Sequence, residues 1–186
     1  MSRRRAWGLG TILGVVALVI GGILLSLDRN AAEPSLVQYD AHYIDAGAML
    51  RLTETLSSDA LEGRATGSRG NEATRDFIQK RFETLGLRQF GDTYFQPFTA
   101  APEVQGGTSV SGVNLVGWIA GQTPGEGPAM VITAHYDHLG IVNGEIYNGA
   151  DDNASGVAAL VAVAQYFTLH RPKHDMIFAV VDAEEI

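Results

Sequence analysis

At 186 residues the chain is long enough to bury one substantial core and short for two ordinary domains, so a single compact domain is expected. Its formal charge is -8, from 13 basic and 21 acidic residues. Three of the basic ones are Arg3, Arg4 and Arg5, so the remainder is more acidic still, which argues against nucleic acid as a partner. There is no cysteine, so disulfides and thiolate metal sites are excluded and any metal must sit on His, Asp and Glu.

The N-terminus reads differently from the rest. "MSRRR" is followed by "AWGLGTILGVVALVIGGILLSL", residues 6–27, which carry no charge. As a helix this stretch would extend about 33 Å at roughly 1.5 Å per residue, enough to span a bilayer. A cleaved signal peptide is the alternative, with a shorter apolar core and a small-residue cleavage site; here Asp28 and Arg29 come directly after, which favours an uncleaved anchor. Both readings export the remainder of the chain, and Arg3 to Arg5 should hold the N-terminus in the cytoplasm. The expectation is a single-pass membrane protein with an N-terminal transmembrane helix in residues 1–30, the bilayer as partner of residues 6–27, and an extracytoplasmic body.

Residues 31–47 read as a linker running into a helix start, with Asp45 able to cap "AGAMLRLTETLSS". "SDALEGRATGSRG", residues 58–70, is polar and Gly-rich and is expected to be a loop. "NEATRDFIQKRFETLG" then puts Ala73, Phe77, Ile78, Phe82 and Leu85 on one helical stripe, with Asn71 as cap and Gly86 as stop. "TYFQPF" and "TSVSGVNLVGWIA" suit antiparallel strands near a sheet edge. "AMVITA" (129–134) and "DMIFAVVDA" (175–183) are continuous apolar runs, the pattern of strands covered on both faces. Between them "ASGVAALVAVAQYFTLH" is apolar nearly all round and reads as a buried helix. Strand, loop, helix, strand is a βαβ crossover, so these two strands should be parallel and the fold α/β with a mixed sheet.

In such sheets ligands gather at the carboxyl ends of the strands. His135 and Asp137 follow the first run, Asp151 and Asp152 precede the helix, and Glu184 and Glu185 follow the second run. His135 and Asp137 are two apart, so in extended chain they share a side, and Asp137 could hold one imidazole nitrogen while the other faces a metal. Each cluster has a plainer reading: Asp151 or Asp152 could cap the helix, and Glu184 with Glu185 could be a solvated strand end. His138 has no strong case as a ligand and is expected to shape the rim, and His42, His170 and His174 read as surface residues. What favours a site is that all three clusters meet at one rim of one crossover.

The segments "AHYDHLG", "GADDNASG" and "DAEE", with "SDALEGRATGSRGNEATRDFI" upstream, resemble the co-catalytic di-zinc exopeptidases of metallopeptidase family twenty-eight, across roughly residues 48–186. The resemblance implies a zinc-exopeptidase-like (phosphorylase/hydrolase-like) three-layer sandwich, with helices on both faces of the mixed sheet, that hydrolyses peptide substrates from their N-termini with two zinc ions. It implies His135 as ligand of one zinc with Asp137 orienting it, Asp152 as the carboxylate bridging both, Glu185 as ligand of the second, Glu184 as general base, and a cis peptide between Asp152 and Asn153. Glu184 would take the proton of the attacking water and pass it to the leaving amine. The family carries a further Asp and a further His ligand well downstream of the Glu pair, whereas this chain stops at Ile186. Residues 48–186 are therefore expected to be the N-terminal part of the domain, inactive alone. Two alternatives stand beside the aminopeptidase: a glutaminyl cyclase, similar in fold but with a single zinc, and a receptor-like ectodomain that has lost its metal. Intact His135, Asp152, Glu184 and Glu185 count against the latter.

Overall fold

The computed structural model describes residues 44–100 and 109–186. The expected anchor at residues 6–27, most of the 31–47 linker and His42 lie outside them. Among the described residues no helix is long and apolar enough to cross a membrane.

Helix α1 spans Ala46–Leu56, and the Asp45 carboxylate accepts the Ala48 amide at 3.0 Å, the capping geometry the sequence implied. Helix α2 spans Arg69–Leu85 and stops at Gly86, whose φ of 70° is the left-handed turn that glycine adopts without strain. Its cap is not Asn71. Ser68 accepts the Asn71 amide at 3.1 Å, and Asn71 lies inside the helix with its side chain fully buried. The buried stripe is correspondingly Gly70, Asn71, Thr74, Ile78 and Phe82, while Ala73 is exposed. The segment between the helices is not a plain loop either, since Asp59–Arg64 winds into tight helical turns.

The strands are β1 (Arg88–Gln89), β2 (Phe95–Ala100), β3 (Val110–Ile119), β4 (Met130–His135), β5 (Gly140–Val142), β6 (Glu145–Tyr147) and β7 (Met176–Val181), with helix α3 (Ser155–Leu169) between β6 and β7. β5 and β6 form a separate antiparallel hairpin. In the main sheet β1 and β2 both pair antiparallel with β3, β3 pairs antiparallel with β7, and β7 pairs parallel with β4. The crossover β4–α3–β7 is thus parallel in a mixed α/β sheet, as the apolar runs required. β2, which contains Pro97, has β3 as its only strand partner among the described residues, and β3 lies next to this edge with β7 on its other side, so both segments sit near a sheet edge as expected.

Register fixes where the core sits. Gly117, Phe178 and Ile132 are cross-strand partners and so share one face. On that face Met176, Phe178, Val180 and Leu115 are buried in one cluster with Ile78 and Phe82 of α2 and Val157, Leu160, Val161 and Ala164 of α3. A side chain at Gly117 would meet Phe82 and Leu87, so α2 lies directly on the sheet there. Two expectations change. The described helices that pack on the sheet, α2 and α3, lie on the same face rather than on both, because a single crossover delivers α3 to one side and the apolar stripe of α2 meets the same cluster. β4 is likewise not covered all round: Met130 and Val131 are 58% and 56% exposed, since among the described residues β4 has only β7 as a partner.

Phe178 is fully buried at the centre of this face. Phe178→Ala is expected to lower the unfolding free energy by about 3 to 5 kcal/mol, read as a fall in the urea midpoint without change in slope.

Candidate metal centre

Parallel pairing of β4 with β7 sets His135 opposite Val181, so the two strands end side by side. The Tyr136 amide continues the ladder by donating to the Val181 carbonyl at 2.9 Å. Just beyond, the Asp137 carboxylate, fully buried, accepts the amides of Glu184 at 3.2 Å and Glu185 at 3.1 Å. One side chain therefore ties the exit of β7 to the exit of β4. His135 Nδ1 lies 3.2 Å from the Asp137 main-chain carbonyl and 3.7 Å from its carboxylate. Asp137 thus holds the imidazole through its backbone, and its carboxylate is occupied with the glutamate turn.

The third cluster arrives from the turn before α3. Residues 150–154 form an irregular turn rather than a helical cap, with Asp152 and Asn153 in non-helical conformation and a cis peptide between them. Neither aspartate side chain caps α3, whose first turn instead has its Gly156 amide donating to the Asn153 side chain at 3.1 Å. The Asp151 side chain is exposed, and its carbonyl accepts the Ser155 hydroxyl. This frees the Asp152 carboxylate to stand 3.0 Å from His135 Nε2. Ligand atoms of His135, Asp152 and Glu185 all lie within 4.8 Å of one another. Glu184 is exposed on the same turn.

Three residues whose role the sequence does not disclose support this arrangement. Arg64 is 1% exposed and donates to four carbonyls, those of Leu56, Tyr136 (2.9 Å), Asn148 (2.7 Å) and Gly149 (2.9 Å). It thereby locks α1, the end of β4 and the approach to Asp152 together. Burial pulls its pKa below the usual arginine value, while the Asp137 and Asp152 carboxylates pull the other way. Asp182, also buried, collects Thr66 (3.0 Å), Asn71 (2.9 Å), the Val113 amide (3.0 Å), the Tyr136 hydroxyl (2.9 Å) and the Ala183 amide (3.0 Å). Burial and this adjacent carboxylate push the Tyr136 phenol well above its ordinary pKa, so it remains a donor. The third is His138, whose Nδ1 lies 2.7 Å from Glu185 Oε1. An Arg in a Gly-rich stretch and an Asp at a strand end both read as solvated, so only their burial reveals them. Of the other histidines, His170 is exposed and stacks on Tyr166, and His174 is half-buried rather than at the surface.

Residues 114–186 match the model of Peptidase family M28. That segment contains His135, Asp152, Glu184 and Glu185. No curated protein sequence matches the chain. Among solved structures, the fold is similar to a glutaminyl cyclase of Fimbriiglobus ruber (TM-score 0.62, 19% identity, 76% of this chain and 46% of that one). It is also similar to a leucine aminopeptidase precursor of Bacteroides thetaiotaomicron (0.58, 20%, 76% and 48%) and a Zn-dependent exopeptidase of Parabacteroides distasonis (0.57, 18%, 76% and 47%). The mixed α/β sheet is therefore that of the family the sequence resembles, and the chain spans about half the length of these structures.

Arg64→Lys is expected to be nearly as damaging as Arg64→Ala, because one compact ammonium cannot reach four divergent carbonyls. Each stranded acceptor costs about 1 to 3 kcal/mol, so urea unfolding should show a loss of at least about 3 kcal/mol in both variants.

Proposed function

We propose that this chain carries part of the centre of a zinc exopeptidase, an aminopeptidase that removes residues from peptide N-termini, exported and held at the membrane by residues 6–27. The observation that carries the reading is the approach of His135 Nε2, the Asp152 carboxylate and the Glu185 carboxylate to within 4.8 Å of one another at the strand rim. Imidazole and carboxylate donors suit zinc. Among the described residues no Lys or Arg lies within ion-pair distance of Asp152 or Glu185, so two carboxylates face one another with only histidines beside them. A bound cation offsets that repulsion. The family match over residues 114–186 and the exopeptidases of similar fold support the same reading.

His135 would hold one ion, Glu185 a second, and Asp152 would stand between both. Zinc in such a site polarises a scissile carbonyl and makes a water acidic near neutral pH. Glu184, exposed on the turn that Asp137 fixes, has the freedom to accept a proton from the attacking water and deliver it to the leaving amine. Asp137 acts through its two amide bonds, which keep Glu184 and Glu185 in place.

Several solved structures of similar fold are glutaminyl cyclases, which favours a second reading, cyclisation of an N-terminal glutaminyl group at a single zinc. Mass spectrometry of peptides beginning with Leu or Gln separates the two: the peptidase shortens both by one residue, and the cyclase removes ammonia from the Gln peptide alone. In a full-length relative with the same motifs, changing the glutamate that corresponds to Glu184 to Ala is expected to cut turnover at least about 100-fold while zinc per chain stays unchanged. The change corresponding to Asp152→Ala should lose both. Near-normal kcat in the first variant would remove Glu184 from the role of base.

A further inference from the structure

His138 is half-buried, and its Nδ1 lies 2.7 Å from Glu185 Oε1 but 4.0 Å from the nearer Asp152 oxygen, so it bonds one carboxylate only. An ionised carboxylate has no hydrogen to give, so the proton of this bond sits on Nδ1. A nitrogen that carries a proton offers no lone pair to a metal. The ring is also held in orientation. A side chain at Gly149 would strike His138 Cδ2 and Cγ at 2.5 and 2.6 Å, so the imidazole lies close against Gly149, at a residue whose φ of 53° suits glycine. Arg64 pins the same segment from behind: its guanidinium takes the Gly149 carbonyl, and its own carbonyl lies 3.4 Å from the His138 amide nitrogen. The ring thus has fixed neighbours on one side and one acceptor in front.

We propose that His138 is a positioning residue for Glu185: its Nδ1–H binds Oε1 and fixes the orientation of a carboxylate that would hold the ion. Carboxylate ligands are themselves commonly hydrogen-bonded, and removing such an outer partner costs about 10- to 100-fold in metal affinity. The inference rests on the zinc reading and adds a residue to it. It also gives a reason for the second histidine in "HYDH": His135 serves the ion directly, and His138 serves it through Glu185.

The test is zinc affinity of the full chain, by competition with a chromogenic chelator, for wild type, His138→Ala, His138→Asn and His135→Asn. Asn keeps an N–H donor near the place of Nδ1. His138→Ala should weaken zinc by about 10- to 100-fold, and His138→Asn should recover most of that loss. His135→Asn should not be rescued, because an amide nitrogen is no substitute for an imidazole lone pair. With cobalt in place of zinc, the visible ligand-field bands of His138→Asn should coincide with wild type, since no ligand atom has been exchanged. Equal affinity of His138→Ala and wild type would overturn the proposal. So would an Asn variant as weak as Ala with shifted cobalt bands, which would make His138 a ligand. No zinc binding by wild type would sink the zinc reading itself, and this inference with it.

Discussion

The centre depends on one buried carboxylate. Asp137 sits one residue past the Tyr136–Val181 hydrogen bond that closes the β4–β7 ladder, and its two oxygens take the amides of Glu184 and Glu185. Without it, Glu184 and Glu185 would lose the bonds that hold their backbone beside the end of β4. A carboxylate removed from water is costly unless charge or hydrogen bonds replace the solvent. Here two amides supply bonds, and the Arg64 guanidinium supplies the field. Bonds to an ionised acceptor contribute about 1.5 to 3 kcal/mol each, enough to order a turn that buries little apolar surface of its own.

Asp182 extends the same logic one layer inward. It gathers donors from α2 (Asn71), from β3 (the Val113 amide), from the residue after β4 (Tyr136) and from the segment between α1 and α2 (Thr66). Thr66 lies between both buried carboxylates, 3.0 Å from Asp182 and 3.4 Å from Asp137, and its one hydroxyl hydrogen goes to the nearer. α1, α2, β3 and the exits of β4 and β7 are therefore each bound to one of these carboxylates or to Arg64 rather than merely packed against a neighbour. Hydrogen bonds fix direction where apolar packing fixes only volume, and a metal centre needs direction to fractions of an ångström.

Periodicity and apolar runs made much of the frame legible. The β4–α3–β7 crossover, the parallel pair and the rim where charged residues follow apolar strands all lie in the sequence as runs and breaks. Three things were not legible, each for a physical reason. Asn71 looks like a cap because Asn before an apolar stripe is a good one, but Ser68 lies three residues earlier and the Asp182 carboxylate offers the Asn71 amide group a buried partner. Arg64 looks solvated because charge and glycine dominate its surroundings; its partners are backbone carbonyls, which leave no trace in side-chain identity. The exposure of Val131 could not be read because a continuous apolar run describes a strand and not the neighbours it has.

The centre also divides labour by exposure. The groups that hold, Asp137, Asp182 and Arg64, are buried and saturated with partners, whereas Asp152 and Glu184 are exposed and carry few. In its proposed role Glu184 must exchange water and protons, so it cannot be tied up by protein donors; a support must not move, so it must be. The histidines sit between these extremes. His135 turns Nδ1 to a carbonyl and Nε2 to Asp152, and His138 turns Nδ1 to Glu185. Each of the two carboxylates that face one another thus has an imidazole nitrogen at 3.0 Å or less. The negative potential that these carboxylates leave at the rim would draw a divalent cation to this end of the sheet.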